Sequence, residues 1–166
     1  IIWAETVKAI RRMNPKTTLE TLIPDFQGVE RNLNRILAVA PEVISHNMET
    51  VRRLTREVRI QAQYDRSLEV LAEIARNGVQ AKTGFMLGLG ETHEEILETM
   101  DDILATGCKR LTLGQYLQPT SKHLPVAAYI SPKQFEEYKK IGLAKGFKHV
   151  VSGPLVRSSY HAAETM

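Results

Sequence analysis

The hydrophobic pattern of this chain switches repeatedly between a period near 3.6 and short β-branched runs, and that alternation restricts it to an α/β architecture. Trp3, Val7, Ile10 and Met13 share one helical face, which Pro15 ends. Thr18 to Ile23 is β-branched and apolar and predicts a strand, closed by Pro24 and Asp25. Leu33, Ile36, Leu37 and Ala40 mark a second amphipathic helix, and Val43 and Ile44 a short strand. Asp65 is placed to cap a helix carrying Leu68, Leu71, Ile74 and Ala75, with Gly78 at its C-terminal end. Val79 to Leu89 contains the next strand. Thr92 and Glu95 have capping-box spacing ahead of the stripe Ile96, Met100, Ile103 and Leu104, which Gly107 closes. Leu111 to Tyr116 reads as a strand. Ser131, Pro132 and Gln134 open a helix that Gly146 ends, and Lys148 to Ser152 is a last strand. Glu49 to Tyr64 and Leu117 to Ile130 are the longest irregular stretches.

This order predicts parallel strands joined by right-handed helical crossovers. An open doubly wound sheet and a (β/α) barrel both fit it. The first strand-to-helix turn, Pro24 to Gly28, carries no GxGxxG fingerprint, which disfavours a dinucleotide fold. A complete eight-unit barrel needs about 250 residues. The chain has 166, enough for about four to five units, so it is a small sheet or part of a larger barrel.

Composition excludes several function classes. The net charge is +3, but Lys and Arg are interspersed with Asp and Glu, and the densest basic stretch, Arg52 to Arg59, is broken by Glu57. A nucleic-acid-binding face is therefore not expected. No apolar run approaches the ~20 residues of a membrane span, and the opening Ile-Ile-Trp-Ala-Glu-Thr lacks the basic lead of a secretory leader. A single cysteine excludes an internal disulfide and any cluster held by several thiolates of this chain. Cys108 itself reads as a small buried hydrophobe. His46, His93, His123, His149 and His161 are scattered, with no i, i+4 pair and no HExxH setting. His93 and His149 read as structural. The Gly-x-Ser-x-Gly elbow of serine hydrolases is absent.

Active sites of such folds gather at the C-terminal ends of the strands, and here those ends are polar. Asp25 and Gln27 follow the first strand; Ser45, His46, Asn47 and Glu49 follow the second. Gly88, Gly90 and Glu91 follow the third, and Gln115, Tyr116 and Gln118 the fourth. Each has a structural alternative. Asp25 can be a turn residue, Asn47 and Glu49 can cap a helix near Val51, and Gln115 can satisfy a buried backbone group. Polar groups at equivalent strand ends nonetheless need partners or a ligand.

The motifs at these tips resemble one family. Leu22-Ile23-Pro24-Asp25-Phe26-Gln27-Gly28, Ser45-His46-Asn47-Met48-Glu49-Thr50-Val51 and Tyr64-Asp65-Arg66-Ser67-Leu68 resemble segments of lipoyl synthases. So do Gly84 to Thr92, Gly114-Gln115-Tyr116-Leu117-Gln118-Pro119, Lys122 to Val126, and Gly153-Pro154-Leu155-Val156-Arg157-Ser158-Ser159-Tyr160-His161. They occur in family order over nearly the whole chain.

The resemblance implies a partial (β/α) TIM-type barrel of the radical-SAM kind, truncated at its N-terminal side, over residues 1–152, and a C-terminal tail over 153–166. It implies a sulfurtransferase that inserts two sulfurs into the octanoyl chain of a lipoyl carrier domain or glycine-cleavage H protein. The implied cofactors are S-adenosyl-L-methionine and two [4Fe–4S] clusters. A reductant such as ferredoxin or flavodoxin, and a cytoplasmic location, are implied too. No nucleic acid or membrane partner is expected. Lipoyl synthases carry two cysteine triplets that this chain lacks, so most cluster ligands are expected outside it, and the chain alone is expected to be inactive.

By resemblance, Ser158 (alternatively Ser159) ligates the auxiliary cluster, and Arg157 holds the tail or offsets cluster charge. Neighbouring residues of an extended tail face opposite sides, so one serine of the two is expected to face iron. Asn47 and Glu49 are expected to contact the methionine or ribose part of the cofactor. Gly84, Gly88 and Glu91 match the strand motif beside the adenine, and Gln115 and Leu117 lie on the strand that flanks it. Two other readings remain: a non-catalytic interaction module, and a different SAM- or phosphate-binding barrel enzyme.

Overall fold

The computed structural model describes residues 1–160 and Ala162. Helix α1 (Ile2–Met13) precedes β1 (Glu20–Leu22), α2 (Glu30–Leu37) and β2 (Val43–Ser45). A 3-10 turn (Arg52–Leu54) and the short α3 (Thr55–Val58) lead to α4 (Tyr64–Arg76). Then come β3 (Gln80–Leu87), α5 (His93–Ala105), β4 (Arg110–Gln115), α6 (Pro132–Lys145) and β5 (His149–Gly153). The stretch read as irregular between Glu49 and Tyr64 thus contains the 3-10 turn and α3.

All five strands are parallel and lie in the order β1-β2-β3-β4-β5. This order decides between the two architectures. Right-handed crossovers that always step the same way put every helix on one face of the sheet. A doubly wound sheet must reverse direction to cover both faces. Here the order never reverses, so the sheet is an arc of a (β/α) barrel.

Side-chain alternation then gives the arc two unlike faces. Ile23, Ile44, Ala81, Phe85, Leu87, Leu111, Leu113 and Val150 point outward into the main core. There they meet Leu71 and Ile74 of α4, Ile96, Met100 and Ile103 of α5, and Phe135 and Tyr138 of α6. Most inward positions are polar or glycine, namely Glu20, Ser45, Lys82, Gly84, Arg110, Thr112 and Gly114, with Leu22, Val43, Met86 and Val151 the apolar ones among them. Lys82, with a side chain 2% exposed, donates to both Glu20 oxygens at 3.0 and 2.9 Å, and Ser45 Oγ donates to Glu20 Oε1 at 2.7 Å. A buried lysine of this kind needs its carboxylate in place.

Local signals hold where the partner is close in sequence. Thr92 and Glu95 form both halves of the capping box on α5. Ser131 Oγ accepts from Gln134 N at 3.2 Å, with Pro132 opening α6. Asp65 does not cap α4: the N-cap position is Gln63, without a side-chain bond, and Asp65 lies in the first turn. Its carboxylate is taken instead by Arg52 at 2.6 Å, a partner 13 residues away. The expected strand from Thr18 shortens to Glu20–Leu22, because pairing with β2 begins only at Glu20 opposite Val43. Among the described residues no helix is long and apolar enough to cross a membrane.

Candidate functional site at the strand tips

After β2 the chain does not turn away at once. Glu49 pairs alongside β3, its N–H donating to Gly84 O at 3.1 Å and its carbonyl accepting from Met86 N at 2.9 Å. Glu49 adopts φ +64°, the left-handed region that L residues avoid. Such strain costs on the order of 1–3 kcal/mol and persists only where flanking bonds fix it. The two bonds to β3 do so, and they aim the Glu49 side chain at a small cavity.

That cavity has a volume of about 140 Å³ and is bounded by three strand tips and the tail. Asn47 and Glu49 form one wall, Gly84, Phe85 and Met86 of β3 and Thr112 and Gly114 of β4 the base, and Val156, Arg157 and Ser158 the far side. Asn47 Nδ2 donates to Glu49 Oε1 at 3.2 Å, whereas Asn47 Oδ1 is buried without a hydrogen-bond partner among the described residues. A buried acceptor left unpaired costs about 1–3 kcal/mol, so this oxygen is a place for a ligand donor. With the Glu49 carboxylate beside it, the wall offers two acceptors to an ammonium or a hydroxyl group.

The tail lies directly on β4. A methyl group built on Gly114 would overlap the Val156 carbonyl oxygen, so only glycine permits this approach. Arg157 Nη1 donates to Gln115 O at 3.4 Å and ties the tail to the same strand. The tail is not extended as expected: Tyr160 N bonds Arg157 O at 2.9 Å, closing a turn around Ser158 and Ser159. Ser158 is half-buried on the cavity wall, while Ser159 is exposed and does not line the cavity. His161 lies outside the described residues.

The remaining predicted residues sit apart from this cavity. Glu91 folds back on its own turn, its Oε1 accepting from Gly88 N at 2.6 Å and its Oε2 from Leu89 N at 2.9 Å. Gln115 points outward and is fully engaged. Its Nε2 donates to Tyr116 O and Ala128 O, both at 3.0 Å, and its Oε1 accepts from Ile130 N at 2.9 Å. The structural alternative for Gln115 therefore describes its bonds. Leu117 is half-exposed just beyond the strand. Gln115 and the Gly88 carbonyl, which accepts from Ala127 N and Ala128 N, brace the loop from Leu117 to Ile130 beside a small apolar cluster of Val51, Leu54, Leu89 and Tyr116.

Of the second-tip residues, Ser45 belongs to the inward charged layer and His46 faces the helices. His46 is 1% exposed, with Nδ1 3.0 Å from Ile23 O and Nε2 3.0 Å from Ser67 Oγ. Burial, reinforced by the nearby Arg59 charge, lowers its pKa against the opposing pull of the Ile23 carbonyl and Asp25. At the first tip, burial of Asp25 acts to raise its pKa. The Gln27 N–H and the Arg66 ion pair at 3.3 Å outweigh that and leave it below the ordinary carboxylate value.

Sequence reasoning missed Gly114, Thr112 and Arg59. Arg59, in the stretch left unassigned, donates from Nη1 to Asn47 O at 3.0 Å and Ser67 Oγ at 3.4 Å, and so holds the segment that carries Asn47. Its signal was its place in the basic run, which reads equally as a solvated face.

No family model matches the chain. Several curated proteins do. A lipoyl synthase of Flavobacterium psychrophilum is 68% identical over 163 residues, which is 98% of this chain and 56% of that protein. The mitochondrial lipoyl synthase of Nematostella vectensis is 67% identical over the same share of each, and one from Bacteroides fragilis is 59% identical over 96% of this chain. Among solved structures, Streptococcus suis SuiB bound to S-adenosylmethionine superposes with a TM-score of 0.66 at 13% identity, over 90% of this chain and 34% of that one. A phosphonomutase from Burkholderia cenocepacia gives 0.55 at 10% identity, over 99% and 73%. Both support a barrel-type fold. At 58–68% identity to curated lipoyl synthases, and spanning a little over half of their length, the chain belongs to the lipoyl synthase family.

Proposed function

We propose that this chain forms the S-adenosylmethionine-binding wall of an enzyme that inserts two sulfurs into the octanoyl chain of a lipoyl carrier protein. The observation that carries the reading is the unpartnered, buried Asn47 Oδ1 beside the Glu49 carboxylate, in a cavity that the Ser158 tail also lines. The 68% and 66% identity to curated lipoyl synthases favours this reading over an interaction module or an unrelated barrel enzyme.

The residues fit the cofactor's polar part. A methionine ammonium and ribose hydroxyls are donors, and Asn47 and Glu49 supply acceptors. Gly84 and Gly114 let Thr112 and the tail pack closely against the base of the cavity. Gly88 and Gln115 act through the loop they brace, Glu91 through the turn that carries Gly88, and Leu117 from the start of that loop, shaping the side where the adenine would lie. When bound, S-adenosylmethionine supplies the radical that removes hydrogen from the acyl chain, and the protein's part is to position it and exclude water.

The residues do not fit an iron–sulfur cluster by themselves. Among the described residues no group of three His, Cys, Asp or Glu could hold a metal. Cys108 is buried with Sγ 3.2 Å from Ala81 O, and burial pushes its pKa up to about 12, far from a thiolate ligand. The cluster cysteines are assigned to the part of the relatives' length that this chain does not span. We assign Ser158 Oγ, on the cavity wall in the turn that Arg157 anchors, as the cluster ligand this chain contributes. The two clusters, the carrier protein and an external reductant belong to the proposal for the whole enzyme.

In the full-length protein, Asn47→Leu and Glu49→Gln are expected to weaken S-adenosylmethionine binding about tenfold each, read by equilibrium dialysis. Unchanged affinity in both would remove the cavity from the cofactor site. Ser158→Ala is expected to keep 5′-deoxyadenosine formation and lose lipoyl product; a normal yield of lipoyl groups would end its role as a cluster ligand.

A further inference from the structure

A second cavity opens at the tip of β1, at the same end of the sheet. It has a volume of about 560 Å³, within the range of about 300–1,000 Å³ that ligand sites occupy. Arg59 lines it and also donates to the Asn47 carbonyl, so this one side chain stands between the two cavities.

The lining is polar and nearly neutral. Gln27, Asn32 and Gln61 contribute three carboxamides, and none of these side chains has a hydrogen-bond partner among the described residues. Asn32 is half-buried, so its amide is already partly removed from water. The charged groups are in part committed elsewhere. The Asp25 carboxylate is held by Arg66 and the Gln27 N–H, and Arg59 Nη1 by Asn47 O and Ser67 Oγ. The wall is also preset. Phe26 and Gln27 both hold left-handed backbone, φ +49° and +56°, and the Phe26 ring packs edge-on against Trp3 at 5.6 Å.

Carboxamides both donate and accept, the pattern that a peptide backbone repeats along its length. An octanoyl chain offers nothing to them, and a phosphate would meet the Asp25 carboxylate and a single cation, Arg59, whose Nη1 is already shared by Asn47 O and Ser67 Oγ. We propose that this cavity binds the stretch of peptide backbone that flanks the acylated lysine of the carrier protein, setting that lysine beside the Asn47 cavity. The inference rests on the lipoyl synthase reading and adds a substrate subsite to it.

The test uses the full-length enzyme with its clusters and two substrates, an octanoyl-lysine heptapeptide of carrier sequence and octanoyl-lysine amide alone. The double variant Asn32→Leu/Gln61→Leu is expected to raise KM for the heptapeptide about tenfold, the loss of one or two neutral hydrogen bonds. Turnover of the single amino-acid substrate and affinity for S-adenosylmethionine are expected to stay as they were. Gln61→Leu alone, at an exposed loop position, repeats the test should the double variant fold poorly. Unchanged KM for the heptapeptide overturns the proposal. So does equal loss on both substrates, or a fall in S-adenosylmethionine affinity, which would assign the cavity to the cofactor. A wild-type enzyme that forms no lipoyl product from either substrate defeats the lipoyl synthase reading instead. Anisotropy of a labelled heptapeptide then still reports on the cavity, and equal binding by wild type and variant overturns it.

Discussion

Placing a methyl group at Gly114 asks whether the tail is built onto β4 or merely rests near it. An added Cβ would fall well inside 3.0 Å of the Val156 carbonyl, and a backbone oxygen cannot swing aside as a side chain can. Overpacking of this kind costs about 1–3 kcal/mol. Two contacts of the tail together are of the same size. Val156 is 7% exposed, and burying it contributes about 1.5–3 kcal/mol. The 3.4 Å bond from Arg157 to Gln115 O is long and adds about 0.5 kcal/mol. Gly114→Ala should therefore offset about as much as these two contacts contribute and raise the open fraction of the tail about 10- to 100-fold. Trypsin reads this directly, because Arg157 is exposed but its following bond is closed into the Tyr160–Arg157 turn. Release of the peptide after Arg157, followed by mass spectrometry, is expected to accelerate at least tenfold, while the urea midpoint of the remaining domain barely moves. Val156→Ala should accelerate cleavage comparably without touching β4, by removing buried methyl groups. A folded Gly114→Ala protein cleaved at the wild-type rate would refute the reasoning and free the tail from any fixed place at the cavity.

Lys82→Met leaves the Glu20 carboxylate, 12% exposed, without its cation and should cost about 3–5 kcal/mol by urea unfolding. Glu20→Gln/Lys82→Met should recover most of it, and a single-variant cost below about 1 kcal/mol would contradict the buried pair. His46 binds a proton less readily folded than unfolded, so its contribution is complete above its ordinary value of 6.5 and is lost as the pH falls below it. His46→Gln should flatten that part of the stability profile between about pH 5 and 7; a slope unchanged from wild type there would show that other groups produce it. Cys108, fully buried with its pKa pushed up to about 12, should resist iodoacetamide at pH 8 until urea unfolds the chain. Rapid labelling of the native protein would show the thiol to be accessible.

How far the sequence disclosed the fold depended on how far each residue's partner lay along the chain. The capping box of α5 and the Ser131 cap of α6 involve neighbours three residues apart, and both form as read. Asp65 looked like a cap by the same local logic, but Arg52, brought near by the intervening 3-10 turn and α3, takes its carboxylate. Gln115 and Glu91 looked like ligand contacts because polar residues at strand tips often are. Their bonds run to Ala128, Ile130, Gly88 and Leu89, and the loop that supplies two of those partners has no periodicity to read. The tail reads as extended in sequence, since a turn closed by a single backbone bond leaves no mark on residue type.

The site itself was legible as a ring of tips but not as a cavity, and the reason is physical. A helix-covered strand is recognised by its apolar outward positions, which β3 shows at Ala81, Phe85 and Leu87. Its inward positions, Lys82 and Gly84, look like interruptions of that pattern, yet each has a task. Lys82 with Glu20 forms a charged layer on the inward face, where an apolar side chain would otherwise continue the core. Gly84 admits the Thr112 side chain and Gly114 the Val156 carbonyl at the next level, and these close approaches help bound the cavity that Asn47, Glu49 and Ser158 border. Substrate-facing chemistry can be guessed from the residues that supply it. The boundary of the site depends on glycines that supply no chemistry, and only the register that sets Gly84 against Thr112 and Met86 against Gly114 shows what packs over them.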